Sequence, residues 1–376
     1  MLTRHHPLLG SPLGTQRAIT SFHYGPTDGA HESGRKVYVQ ASLHADELPG
    51  MLLAHHLRQR LAALEAQGLV RAEFAIVPVA NPIGLAQTVL LANEGRFDLA
   101  GGENFNRRYP SLFAAVSAAV EGRLGDDEAA NARIIRAALR ESAQALPQDN
   151  ELMSQRKTLL GLACDAEVVL DLHCDCESLI HLYTGAALWP QAEPLARLTG
   201  ARASLLAAES GDNPFDEACS QTWWQLEAHF RGRHPVPLGC LSVTLELRGQ
   251  ADVSHPLASA DADALIAFFA HRGLIDVPVP DLPPLRNDAT PLAGTDDLKA
   301  PISGLVVYLR EIGELIRAGE VVVELIDPIS GDVHPVRSRT DGLLFARQVQ
   351  RFARAGRSLC QVAGATPIRV GKLSSD

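Results

Sequence analysis

No stretch of the chain holds the roughly 18 consecutive apolar residues that a membrane-crossing helix needs. The opening MLTRHHPLLGSPLGTQR likewise lacks the continuous apolar segment of a secretory leader. Its six cysteines (164, 174, 176, 219, 240 and 360) are scattered rather than spaced as a disulfide framework. A reducing, cytoplasmic setting with no membrane partner is therefore expected. Also missing is any cluster of Lys and Arg: the formal net charge is -10. Nucleic-acid binding needs a concentrated basic surface for counterion release, so that class is excluded. One or two placed arginines can still bind a carboxylate inside an acidic protein. What is present is ordinary globular composition, 46% apolar and 21% charged over 376 residues, enough for a large domain and a small one.

Lys36 to Leu43 (KVYVQASL) reads as a strand that delivers HADELPG, after which MLLAHHLRQRLAALEAQG has helical periodicity and stops at Gly68. AEFAIVPVA at 72–80 is nearly all apolar, as a strand covered on both faces would be, and ends in Asn81-Pro82. AEVVLDL at 166–172 and CLSVTLEL at 240–247 repeat the pattern, with helical stretches between, notably from Asp126 to Leu146. Strands alternating with helices predict an α/β fold, a mostly parallel mixed sheet flanked by helices. In such sheets ligands bind beyond the carboxyl ends of strands, where His44, Asn81, His173 and Glu246 fall. From Val277 to Pro301 proline disfavours regular structure and a linker is expected. Beyond it, short apolar runs alternate with glycine-bearing turns, the pattern of a small all-β C-terminal sandwich domain. The expected division is 1–285 and 286–376.

His44 and Glu47 are three apart directly after a strand, and residues so spaced can converge on one ion. With 14 histidines in the chain, chance supplies about one such spacing, so the pair alone is weak. Asp171-Leu172-His173 ends an apolar strand, where an imidazole needs either a hydrogen-bonding partner or a metal backed by a nearby carboxylate. Two His and one Glu match the ligand set of hydrolytic zinc sites that keep a position for water. Arg96-Phe97-Asp98 and Asn104-Phe105-Asn106-Arg107-Arg108 occupy a loop-like segment and offer donors for a carboxylate, although adjacent arginines are more often solvated charges. Glu246 interrupts an apolar strand, so it is either paired, with Arg248 for example, or poised for proton transfer at a raised pKa.

HADE, Asn81-Pro82, RFD with NFNR, DLH and TLE, in that order, resemble the succinylglutamate desuccinylase/aspartoacylase branch of the zinc carboxypeptidase-like (M14) superfamily, over roughly residues 35 to 275. The resemblance implies one zinc ion held by His44, Glu47 and His173. It implies that Arg96 polarises the scissile carbonyl, that Asn106 and Arg107 grip the substrate's α-carboxylate, and that Glu246 is the catalytic carboxylate. The activity it implies is hydrolysis of a linear amide in a small anionic N-acyl amino acid. A metallocarboxypeptidase acting on short peptides would share every motif, and a non-catalytic metal-binding scaffold is the reading from a different class. Aspartoacylases carry a further arginine for a second carboxylate, and only Arg231 and Arg233 are loosely placed for it here. The Ser111–Ala163 segment reads as an added helical insert beside the site or at a subunit contact, which leaves a homo-oligomer open. The C-terminal unit is similar to the biotinyl/lipoyl type of sandwich, yet its hairpin tip, Asp327 to Gly331, has no lysine for attachment. A cap over the site or an oligomer contact is expected of it instead. Cys174 and Cys176 follow His173, but thiols so placed are commonly small buried hydrophobes.

Overall fold

The computed structural model describes residues 1–26 and 35–373. Its central sheet takes nine strands: β1 (Leu2–Pro7), β2 (Ala18–Tyr24), β3 (Lys36–Ala41), β4 (Glu73–Val77), β5 (Val168–Asp175), β6 (His181–Gly185), β7 (Ala203–Ala207), β8 (Leu241–Gly249) and β9 (Thr290–Pro291). Their order is β1-β2-β4-β3-β5-β8-β6-β7-β9. The four strands expected from sequence form its parallel middle, β4-β3-β5-β8. Because both faces of that block are covered, β3 and β4 are buried along their whole lengths, which is why they read as unbroken apolar runs.

Helices α1 (Pro49–Ala66), α2 (Phe113–Val120), α3 (Glu128–Gln144), α4 (Glu151–Ala163), α5 (Trp189–Thr199), α6 (Phe215–Phe230) and α7 (His255–His271) cover the sheet. Helix α1 has Pro49 in its first turn, where the missing N–H costs nothing, and buries Leu53, Ala54, Leu57 and Leu61 along one stripe. That stripe packs with residues of α5 and α7 on one face of the sheet, while α2, α3, α4 and α6 fill the other. Asp127 caps α3 by accepting from the N–H groups of Ala129 and Ala130, so the predicted helix begins at its acidic turn. Among the described residues no helix is long and apolar enough to cross a membrane.

The C-terminal unit is two antiparallel sheets. One contains β10 (Thr295–Lys299), β12 (Leu315–Ile316), β15 (Gly342–Arg347) and β17 (Ser358–Gly364); the other contains β11 (Gly304–Tyr308), β13 (Val321–Ile326), β14 (Val333–Arg337) and β16 (Phe352–Ala353). Within the stretch expected as linker, Thr290-Pro291 pairs only at the sheet's edge, the place in a sheet that tolerates proline, and Thr295 already starts β10. The two units are stitched together just past His173. Glu177 and Ser178 pair antiparallel with Arg347 and Ala346, and Arg347 Nε donates to Glu177 Oε2 at 2.6 Å. Leu205, Leu292, Leu343 and Phe345 close a small apolar cluster across the seam.

Candidate active site

Side chains alternate across a strand, so Asp171 and His173 of β5 point to the face that carries α6, as do Thr244 and Glu246 of β8. The two strands pair in parallel with His173 opposite Glu246, after which the register slips before Gly249 and Arg248 takes a positive φ of 66°. His173 and Glu246 therefore stand inside their strands rather than beyond them, because the parallel pairing runs on to that point. His44 is delivered differently. Ser42 adopts φ 64°, a costly conformation for a residue with a Cβ, and swings the chain off β3. Asn81 Nδ2 holds the Leu43 carbonyl at 2.9 Å, so Asn81 fixes the turn from behind and lies outside the cavity. Gly95 accepts from the N–H of Ala45, and a Cβ there would sit 2.2 Å from Asp46 N, so only glycine lets the Arg96 loop approach this closely.

His44, Glu47, Arg96, Asn106, Arg107, His173 and Glu246 all line one cavity. Arg231 and Arg233 do not; they pair at the surface with Glu227 and Glu121. At the cavity floor Glu47 lies between the two imidazoles, with Oε1 2.8 Å from His44 Nδ1 and Oε2 2.7 Å from His173 Nδ1. One nitrogen or oxygen donor from each of these three buried residues falls within 4.8 Å of the other two, close enough to share an ion.

The surrounding hydrogen bonds decide what that cradle wants. Asn104 Oδ1 accepts from the N–H of Asn106 at 2.8 Å, which identifies it as the oxygen, and it also lies 2.9 Å from His44 Nε2. His44 Nε2 must then carry the proton, leaving the Nδ1 lone pair of a neutral ring facing a carboxylate oxygen. Burial, followed by the charge of Arg96, holds the His44 pKa at about 4, so the ring is neutral at physiological pH. On the other side His173 Nε2 lies 3.0 Å from Asp171 Oδ2. Burial disfavours a charged His173, yet Asp171 and Glu47 raise its pKa well above the ordinary value. Burial would raise Glu47 too, but the two imidazoles outweigh it and keep the carboxyl ionised. Two ring nitrogens and a carboxylate turned toward one point demand a positive charge there, and a divalent cation meets the demand without a proton. The residues fit a metal, and imidazole with carboxylate suits zinc.

Beneath the cradle Tyr38 donates to Gln40, and Gln40 Nε2 donates to Asp171 Oδ1 at 2.9 Å, a buried row that fixes the carboxylate behind His173. Arg96 Nη1 reaches within 3.3 Å of His44 Nδ1 and 3.4 Å of Glu47 Oε1, at the cavity's rim. Asn106 Oδ1 accepts from the N–H of Phe215, which turns its Nδ2 toward His173. Glu246 makes no pair with Arg248, whose guanidinium is bound to Asp261. Its Oε2 is buried without a hydrogen bond, and burial followed by Asp175 pushes its pKa up to about 8.

The sequence reading passed over several contributors. Asn104 sits in the NFNR motif, and its spacing from Asn106 was the available clue. Arg156 of α4, 2% exposed, donates to the Asn104 carbonyl and to Glu103 and so braces the whole loop from within the helical insert; nothing in its local sequence signals this. The C-terminal unit supplies a wall through Asp297, Gln361 and Arg369, in keeping with the expected cap. Cys174 offers its backbone N–H to Glu47 Oε2 rather than its thiol, which burial pushes to a high pKa. Trp223 is core, and His56 contacts His255 on the outer surface.

Residues 33–272 match the succinylglutamate desuccinylase/aspartoacylase catalytic domain. A family protein from Shewanella amazonensis SB2B is 25% identical and superposes with a TM-score of 0.83 over 96% of this chain and 98% of its own. A succinylglutamate desuccinylase/aspartoacylase from Rhodobacter sphaeroides (14% identity, TM-score 0.67, 97% and 96% covered) shares the fold. So does the ectoine utilization protein EutE (DoeB) from Ruegeria pomeroyi (15%, TM-score 0.66, 97% and 95%). No curated protein matches the sequence. With the catalytic-domain match spanning more than half of its length and two imidazoles meeting a carboxylate at its centre, the chain belongs to the succinylglutamate desuccinylase/aspartoacylase family.

Proposed function

We propose that the protein is a zinc-dependent amidohydrolase that cleaves the linear amide bond of a small N-acyl amino acid. The observation that carries this reading is the meeting of His44, Glu47 and His173 beside Glu246, an ionisable group with an unsatisfied oxygen. The first three would hold the ion. When bound, zinc supplies a Lewis acid that acidifies water and polarises a carbonyl. Glu246 takes the proton from the attacking water and passes a proton to the departing amine; its buried, elevated pKa suits a group that must both accept and donate near neutrality. Arg96, at the cavity's rim beside the cradle, stabilises the negative charge that develops on the carbonyl oxygen. Asn106 and Arg107 hold the α-carboxylate, with Arg107 braced by donation to the Asn106 carbonyl at 2.7 Å.

A short peptide would meet the wall that Asp297, Gln361 and Arg369 of the C-terminal unit give the cavity, and the peptidase reading is separated by assay. The test is a panel of N-acetyl and N-succinyl amino acids assayed beside short peptides, with metal content measured on the same preparation. Hydrolysis of acyl amino acids that is lost on chelation and recovered with zinc supports the reading. Hydrolysis of peptides alone, or activity indifferent to chelation, sinks it.

A further inference from the structure

The cavity's charges are unevenly spent. Setting aside the cradle and Glu246, its wall carries Asp175, Asp216, Glu217 and Asp297 against Arg96, Arg107 and Arg369. Asp175 lies 3.5 Å from His181 Nε2, and Arg369 donates to the Leu292 carbonyl, with Asp297 the leading acidic charge acting on it. Glu217 is tied down by accepting from the N–H of Ser210.

Asp216 is the exception. It sits in the first turn of α6, lines the cavity and is only 8% exposed, and among the described residues its carboxylate has the backbone N–H of Glu217 but no side-chain hydrogen bond or ion pair. The helix start offsets part of that burial, since a first-turn carboxylate meets the Glu217 N–H and the positive end of the helix, but it supplies no cationic side chain. One turn further along the same helix Ser220 also lines the cavity, so the α6 face there is acidic and hydroxylic, with no basic side chain.

Resting on the hydrolase reading above, we propose that Asp216, helped by Glu217, binds a cationic group of the substrate, so that the preferred acyl amino acid carries an ammonium on its side chain rather than a second carboxylate. Arg107 is the basic neighbour of Asp216, so the site would take the α-carboxylate and a nearby ammonium as an opposed pair. Burial, then Glu217, lifts Asp216 to about 7, the state of a carboxylate kept waiting for a counter-charge. An ammonium within hydrogen-bonding reach returns it to the ionised form.

The test separates binding from turnover. Zinc-loaded Glu246→Gln protein is titrated calorimetrically with N-acetyl derivatives of ornithine, norvaline and glutamate, and the wild type is assayed for hydrolysis of the same three. The expected result is affinity for acetylornithine at least ~10-fold above acetylnorvaline, with acetylglutamate weakest, the size of one partly desolvated charge pair. Asp216→Asn in the same background brings the ornithine-to-norvaline ratio to near one, and a melting curve confirms that this variant is folded. Equal or stronger binding of acetylnorvaline or acetylglutamate overturns the proposal, as does a ratio that survives Asp216→Asn. Selective binding without hydrolysis of any of the three would instead fault the hydrolase reading while leaving the cation site standing.

Discussion

His173 and Glu246 face each other as register partners on adjacent parallel strands, which places a metal-cradle imidazole and an unsatisfied carboxylate side by side on one rigid surface. Such a pairing fixes their separation by backbone hydrogen bonds rather than by side-chain packing. Glu246→Gln is therefore expected to keep the zinc stoichiometry while lowering kcat by about 10²–10⁴-fold, the usual worth of a positioned acid–base group. Stopped assays beside metal analysis of the same sample check both halves of the statement.

The raised pKa of Glu246, about 8 against an ordinary 4.5, gives two pH signatures. As the proposed base it would work only when ionised, so kcat/KM should rise with pH along a limb lying between those values, drawn down from the upper one by a bound cation's charge. In metal-free protein the folded state keeps a proton that the unfolded chain has lost above 4.5. Its stabilising contribution is complete below that value and is lost as pH rises to about 8. Glu246→Gln should thus gain on the wild type between pH 5 and 8 in urea denaturation of the chelated proteins; a constant gap contradicts it.

Behind the cradle, Asp171 and Asn104 orient the two rings. Asp171→Asn and Asn104→Ala are each expected to weaken zinc binding by roughly 10–100-fold, with little change in overall fold. Competition against a chromogenic chelator measures this directly.

Arg156 braces the Asn104 carbonyl from α4. Replacing it with Ala removes a buried donor set, and about 1–3 kcal/mol of stability should go with it. Because the loop also carries Asn106 and Arg107, KM should rise more than kcat falls. Chemical denaturation and steady-state kinetics are the checks.

Much of this was legible because it is periodic or local. The apolar runs ending at Leu43, Ala80, Leu172 and Leu247 mark strands covered on both faces, and polar residues at their ends stand out against them. His44, Glu47 and His173 could be named for that reason. What could not be read is what depends on long-range placement. Whether Glu246 pairs with Arg248 turned on where Asp261 lies, in a helix the strand itself does not specify. Arg156 is 52 residues from the carbonyl it holds, and its own helix gives no sign of the target. Asp216 looks like an ordinary acidic residue in a first helical turn until the cavity is drawn around it.

The seam at Glu177 and Ser178 begins four positions after His173 and binds the segment just beyond the imidazole's strand to the C-terminal sandwich. The cavity thereby takes its cradle and part of its wall from different stretches of the polypeptide. Substitutions among the sandwich residues that face inward, such as Asp297, Gln361 and Arg369, would reshape that wall without touching His44, Glu47 or His173. A truncation that discards the sandwich would strip the pocket of one side and leave the Glu177–Ser178 segment without its strand partner.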